Sequence, residues 1–304
     1  MSESKYQVRR SHRDEFIKLR GLSHHLLRWG EPRDGQPLLV MAHGWMDVGA
    51  SFQFVVDALS EAREVLAFDW RGFGLTAPSG SDSYWFPDYL GDLDALLDAV
   101  SPDAPVDLLG HSMGGNIVMS YAGLRPQRVH RLINLEGFGL PDTRAEEAPR
   151  RMTQWLDELK TPASLKPYAS LAEVAARLCK TNPRLCADKA LWLAGHWSRE
   201  TAPGRFELLA DPGHKRANPV PYRWAEVEAH WRAIRAPLLW MEGAATPFPA
   251  FWGERFPMRE LERRRSIVPQ TRLITLADAG HMLHHDQPQP LAQSLEAFLS
   301  AAQA

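Results

Sequence analysis

Ser112 lies in Gly110-His111-Ser112-Met113-Gly114, a G-x-S-x-G pentapeptide. An apolar run, Val106-Asp107-Leu108-Leu109, precedes it, and Ile117, Tyr121 and Leu124 follow at helical spacing. This pattern predicts a strand, a tight turn and a helix, with the central residue strained and its hydroxyl left exposed above the strand end. Glycines two before and two after relieve the crowding of such a turn. A serine held this way is placed to act as a nucleophile, but a hydroxyl is weak at neutral pH and needs a base to take its proton. His281, in Ala279-Gly280-His281-Met282, follows the last predicted strand and is the expected base. The neighbouring His284 and His285 are expected to hydrogen-bond nearby loops, and His43 and His111 to brace the turns they flank. Negative charge developing on a carbonyl oxygen needs donors. The backbone N–H groups of Met113, just after the serine, and of Trp45, in His43-Gly44-Trp45, are the expected pair.

Residues so far apart in sequence must be gathered by a sheet. Short apolar runs recur at Leu38–Ala42, Val65–Phe68, Val106–Leu109, Leu132–Leu135, Leu238–Met241 and Leu273–Leu276. Most end in a turn-forming or polar group. Continuous apolar runs predict strands buried on both faces, as in a parallel sheet. Helical patterns between them, notably 86–100 and 116–125, predict a wound α/β architecture. In such sheets ligands bind beyond the carboxyl ends of the strands. The stretch 141–231 breaks the rhythm. It is rich in proline, has helical patterns at 150–159, 171–178 and 188–197, and contains no clear strand pattern. It predicts a mainly helical cap inserted between two parts of a core, 1–140 and 232–304. Five of the eleven tryptophans (Trp155, Trp192, Trp197, Trp224 and Trp231) fall in it. They are expected chiefly to close the cap's own core, with some lining an apolar pocket.

A chain of 304 residues with 44% hydrophobic content and a formal net charge of −2 suits a globular protein without a broad basic face for nucleic acid. No apolar run reaches the roughly 18 residues a membrane span needs. The start, Met1-Ser2-Glu3-Ser4-Lys5, is polar and no apolar stretch of a secretory signal follows. Two cysteines, Cys179 and Cys186, make no disulfide framework and predict reduced thiols and a cytoplasmic location. His24 and His25 lie in a hairpin-like stretch without the company a metal site needs. Arg263-Arg264-Arg265 predicts a solvated helix face.

Taken together, His43-Gly44-Trp45, Asp69-Trp70-Arg71-Gly72-Phe73-Gly74, Gly110-His111-Ser112-Met113-Gly114-Gly115 and Gly280-His281 resemble the α/β-hydrolase superfamily, serine first and histidine last. The resemblance runs through nearly the whole chain except the cap. It implies an α/β-hydrolase fold: a mostly parallel sheet flanked by helices, with a structural turn at 69–74. The closest likeness is to lid-bearing serine hydrolases, including esterases, C–C bond hydrolases and perhydrolases. Epoxide hydrolases and haloalkane dehalogenases carry an aspartate where this chain has Ser112, which argues against their chemistry.

One position departs from the family pattern. Where many members carry the acid that orients the histidine, three residues after Gly243, this chain has Thr246. Glu136, Glu242 and Asp278 are the carboxylates that could replace it. Glu136 is favoured. It ends an apolar strand, some members place the acid there, and a buried glutamate needs a partner that becomes cationic. The implied activity is acyl transfer to water from a small to medium apolar ester by Ser112, His281 and Glu136, a carboxylesterase-like reaction that needs no metal or organic cofactor. The alternatives are C–C bond hydrolysis, acyl transfer to another acceptor, or a non-catalytic ligand-binding protein of the same fold.

Overall fold

The computed structural model describes residues 5–248 and 253–301; Met1 to Ser4 of the polar start lie outside them. The chain opens with a hairpin, β1 (Arg13–Leu19) and β2 (Leu22–Trp29). Its two-residue turn is Arg20-Gly21, both at positive φ (47° and 87°), as a tight turn matched to strand twist requires. Then follow β3 (Leu39–Ala42), α1 (Gln53–Ala58), β4 (Val65–Phe68), α2 (Phe86–Val100), β5 (Val106–His111), α3 (Met113–Leu124) and β6 (Val129–Leu135). These and the later strands β9 (Leu238–Gly243) and β10 (Thr271–Leu276) form one eight-stranded sheet. Its order is β1-β2-β4-β3-β5-β6-β9-β10, parallel from β4 to β10 and antiparallel at the β1-β2-β4 edge.

The apolar runs form the expected strands because both faces are covered. One face packs on α2 and α3 through Leu93, Leu97, Ile117 and Tyr121. The other packs on α1 and the final helix Pro288–Leu299 through Val55, Val56, Leu291 and Leu295. β10 differs. It is the sheet edge, and Leu273 is 46% exposed, so this run is not buried on both faces as its composition predicted.

Between β6 and β9 lie α4 (Ala148–Leu159), α5 (Leu171–Thr181), α6 (Ala187–Trp197), β7 (Ser198–Ala202), β8 (Arg205–Leu208) and α7 (Trp224–Arg232). The β7–β8 hairpin is a correction to the strandless reading. Its residues, Ser-Arg-Glu-Thr-Ala and Arg-Phe-Glu-Leu, carry little apolar alternation, and antiparallel pairing across Pro203-Gly204 makes them strands. The tryptophans also depart from expectation. Trp224 and Trp231 stack edge-on with each other, and Trp231 packs on Trp240 of β9 within the main core. They fasten the insertion to the sheet instead of closing a separate core. Trp192 packs on Phe54 of α1, and the Trp155 indole donates to Ser83.

His214 fastens the insertion elsewhere. It is stacked between Phe73 and Tyr84, with ring centroids 3.7 and 3.5 Å away. Its Nε2–H donates to the Arg71 carbonyl and its Nδ1 accepts from the Tyr89 hydroxyl, both at 3.1 Å. That arrangement suits the neutral ring, and burial pushes its pKa down from 6.5 to about 4. On acidification the unfolded chain therefore takes up this proton first, and stability falls between about pH 6.5 and 4. The loss from this group is about 3 kcal/mol. Urea unfolding at about pH 7 and about pH 4.5 should show a smaller acid loss for His214→Gln than for the parent; equal losses would refute the assignment.

The arginine run is a solvated face only in part: Arg263 is exposed, but Arg264 is buried. The Arg264 guanidinium lies 3.5 Å from the Trp224 ring centroid and 3.9 Å from that of Phe256. It donates to the carbonyls of Phe138 and Leu140, so a cation is buried where π-faces and carbonyl oxygens replace water. Cys179 and Cys186 are unpaired. Among the described residues no helix is long and apolar enough to cross a membrane.

Candidate active site

The turn from β5 into α3 puts Ser112 at φ 51° and ψ −113°, a conformation sterically unfavourable for a residue with a side chain. Neighbouring glycines make it possible. A Cβ on Gly110 would lie 2.4 Å from the Gly114 carbonyl oxygen, and one on Gly114 would lie 2.3 Å from that of Ala42. The His281 Nε2 lies 3.0 Å from Ser112 Oγ, and its Nδ1 lies 2.7 Å from Glu136 Oε2. Serine, histidine and glutamate thus form a continuous hydrogen-bonded line from residues 169 and 145 positions apart in sequence. The two hydrogen bonds of His281 assign its tautomer: Nδ1–H donates to the carboxylate, and Nε2 accepts from the serine hydroxyl.

Glu136 follows β6 at φ 56° and is 1% exposed. Its Oε1 accepts from the Gly243 N–H at 2.7 Å and from the Thr246 hydroxyl. Thr246, standing where the family resemblance leads one to look for an acid, is therefore a donor to a carboxylate that comes from the neighbouring strand. Gly243 cannot carry a side chain here, since a Cβ would lie 2.4 Å from the Ala279 carbonyl oxygen.

The two other carboxylates are elsewhere. Glu242 accepts from Trp240 Nε1 and Arg265 Nε, both at 2.7 Å, and burial raises its pKa. Asp278 is an exposed turn residue at φ 55°. Removing the cation that holds Glu242 should cost stability and spare chemistry. Arg265→Met is expected to destabilise the fold by about 3 kcal/mol, because it strands a buried carboxylate. Denaturant midpoints and turnover per folded molecule check this, and a hundredfold fall in turnover would return Glu242 to the site.

Met113 directly follows the serine, and Trp45 lines the same cavity as Ser112. Met113 opens α3, where first-turn N–H groups have no intrahelical acceptor. Trp45 lies in the turn after β3, and neither N–H is engaged by a described acceptor. His43 braces this turn: its Nδ1–H donates to the Gly44 carbonyl at 2.7 Å, and its Nε2 accepts from the Trp70 N–H at 3.0 Å. Burial lowers its pKa, in keeping with a neutral ring. His111 donates from Nε2 to the His281 carbonyl at 2.8 Å and so holds the backbone of that histidine. Asp69 ties down the following turn by accepting from the Gly49 and Leu75 N–H groups and from His25.

Ser112 and His281 open into a cavity of about 530 Å³. The core supplies Trp45 and Met46, and the insertion supplies Leu165, Tyr168, Val174, Leu178, Leu185 and Trp197. Lys166, Arg177 and Lys215 line it as well. Sequence reasoning did not single out these three cations, since nothing local distinguishes them from other surface charges.

A family model described as the alpha/beta hydrolase fold matches residues 37–288. The chain belongs to that family. Within it, the chain is 25% identical over 292 residues to the AB hydrolase superfamily protein YfhM of Bacillus subtilis, covering 94% of this chain and 97% of that one. It is 24% identical over 300 residues to cis-3-alkyl-4-alkyloxetan-2-one decarboxylase of Shewanella oneidensis, covering 94% and 87%. Its fold matches the thioesterase domain from the curacin biosynthetic pathway with a TM-score of 0.82 at 23% identity, covering 94% and 99%. Among alpha/beta hydrolases this chain is a hydrolase-type enzyme.

Proposed function

We propose that the protein is a serine hydrolase that cleaves a small to medium apolar ester or related acyl compound through an acyl-enzyme intermediate. The observation that carries this reading is the unbroken line from Glu136 through His281 to Ser112, opening into an apolar-walled cavity. His281 Nε2 takes the Ser112 proton as Oγ attacks the acyl carbon. Glu136 stays ionised and stabilises the imidazolium. The Met113 and Trp45 N–H groups receive the oxyanion, a contribution of about 3 kcal/mol per donor in comparable sites. His281 then protonates the leaving group as the tetrahedral intermediate collapses, and a water molecule repeats the sequence to free the acid and restore Ser112. Residues 141–231 act as the cap that walls the acyl pocket. The unpaired cysteines favour a reducing compartment, the cytoplasm.

Lys166, Arg177 and Lys215 favour acyl groups that end in an anion, since three cations along one cavity raise the local concentration of negative substrates. The test is a p-nitrophenyl ester series from acetate to decanoate, with the adipate monoester set against hexanoate. Saturable turnover with a chain-length optimum is expected, and about a tenfold preference in kcat/KM for the adipate ester that fades at high salt. Absence of turnover across the whole series by folded protein would refute the esterase reading. A preference for hexanoate would refute only the anionic end.

A further inference from the structure

Beside the serine lies a group of side chains that acyl transfer does not use. Asp47, His111 and His284 are 3%, 2% and 0% exposed, and one ligand atom from each lies within 4.8 Å of the others. Hydrogen bonding fixes the state of two of them. The His281 carbonyl can only accept, so His111 carries its proton on Nε2 and presents a bare lone pair at Nδ1. That Nδ1 has no partner. Asp47 Oδ1 accepts from the Val48 N–H at 2.9 Å, the Ser51 hydroxyl at 2.7 Å and the Trp197 indole at 3.1 Å, whereas Oδ2 has no hydrogen bond. His284 makes no hydrogen bond from either ring nitrogen; its Nε2 faces Asp47 Oδ2 at 3.7 Å, within ion-pair reach but too long for a hydrogen bond.

Buried polar atoms are almost always satisfied, and a bound ion or water is a usual reason when several have no protein partner. The chemistry of this set selects the occupant. Two imidazole nitrogens and one carboxylate oxygen are the donors of first-row transition-metal sites. The surrounding bonds are those that orient ligands in such sites: His111 gives its other N–H to a backbone carbonyl, and Asp47 is held by three donors. Asp47 and His111 also line the cavity, so an ion has a way in from solvent.

We propose that Asp47, His111 and His284 form a binding site for one divalent transition-metal ion, with zinc the best match to the donors. The proposal does not rest on the acyl chemistry, although the site adjoins it through the His111 bond to the His281 carbonyl. It joins the loop after β3, the serine turn and the short helix Leu283–Asp286 just beyond His281. Metal binding therefore clamps three segments that meet at the serine, and it acts on the position of His281 through His111.

The full-length protein, freed of metal with a chelator, is titrated with Zn²⁺ by calorimetry and crystallised with Zn²⁺ for anomalous diffraction at the zinc edge. The expected result is one ion per chain, a rise in Tm with added Zn²⁺, and an anomalous peak among the three side chains. His284→Gln should weaken binding at least tenfold. Absence of saturable binding, a water without anomalous signal at this position, or affinity unchanged in His284→Gln would overturn the proposal. Should the variant not fold, the anomalous map of the parent protein decides, with a peak at any other place counting against the site.

Discussion

Ser112→Ala is expected to lower kcat on p-nitrophenyl butyrate by about 10⁶-fold, the scale seen when the nucleophile of a triad is removed. The size follows from the absence of a substitute. Ser51 is buried and spends its proton on Asp47, so it cannot reach an acyl carbon in the cavity. What survives comes from the N–H groups of Met113 and Trp45 and from binding, which accelerate attack by water without forming an acyl-enzyme. Alanine at φ 51° keeps the backbone strain that serine already bears, so the unfolding midpoint should change little. Active-site fluorophosphonate labelling should disappear together with turnover. Labelling that persists in Ser112→Ala, or a residual rate above about one hundredth of the parent's, would place the nucleophile elsewhere.

Glu136→Gln should lower kcat by about 10⁴-fold. Glutamine preserves the shape and can still accept from Gly243, but it removes the charge that stabilises imidazolium and can present an N–H to His281 Nδ1. A ring facing a donor protonates on Nε2 instead, which points a proton at Ser112 and leaves nothing to take the serine's own. Thr246 supplies a sharper version of the experiment, because its hydroxyl already touches Glu136. Glu136→Gly removes the acid and eases the positive φ; adding Thr246→Asp to it should recover at least about tenfold in kcat by supplying the acid from the adjacent strand. If Glu136→Gln retains most of its turnover, or the added aspartate recovers nothing, the carboxylate does not act through His281.

The parts of this molecule that were legible in the chain are those whose causes are local. Val65–Phe68 and 86–100 stand in the structure within the same limits, because a buried strand and an amphipathic helix impose their periods on consecutive residues. The glycines around Ser112 report a steric need within five residues. The misread elements have non-local causes. The β7–β8 hairpin is held by pairing and by the bridge from Phe206 to Tyr168, not by an apolar stripe, and Pro203-Gly204 was its one signal. Arg264 looks like a surface charge until Trp224, forty residues earlier, is laid against it.

By itself the sequence determined the alternation of strands and helices, the serine turn, and a histidine late in the chain, since each rests on the steric and apolar requirements of a short segment. It narrowed the acid to three carboxylates and favoured Glu136 among them. Only the tertiary structure decided that Glu136 meets His281, that Thr246 serves it as a donor, that Glu242 is spent on Arg265, and that Asp47, His111 and His284 converge. The physical reason is the same in each case. Hydrogen bonds and ion pairs reach about 3 Å, and which side chains come within that reach is set by strand order and crossover connections, not by distance along the chain.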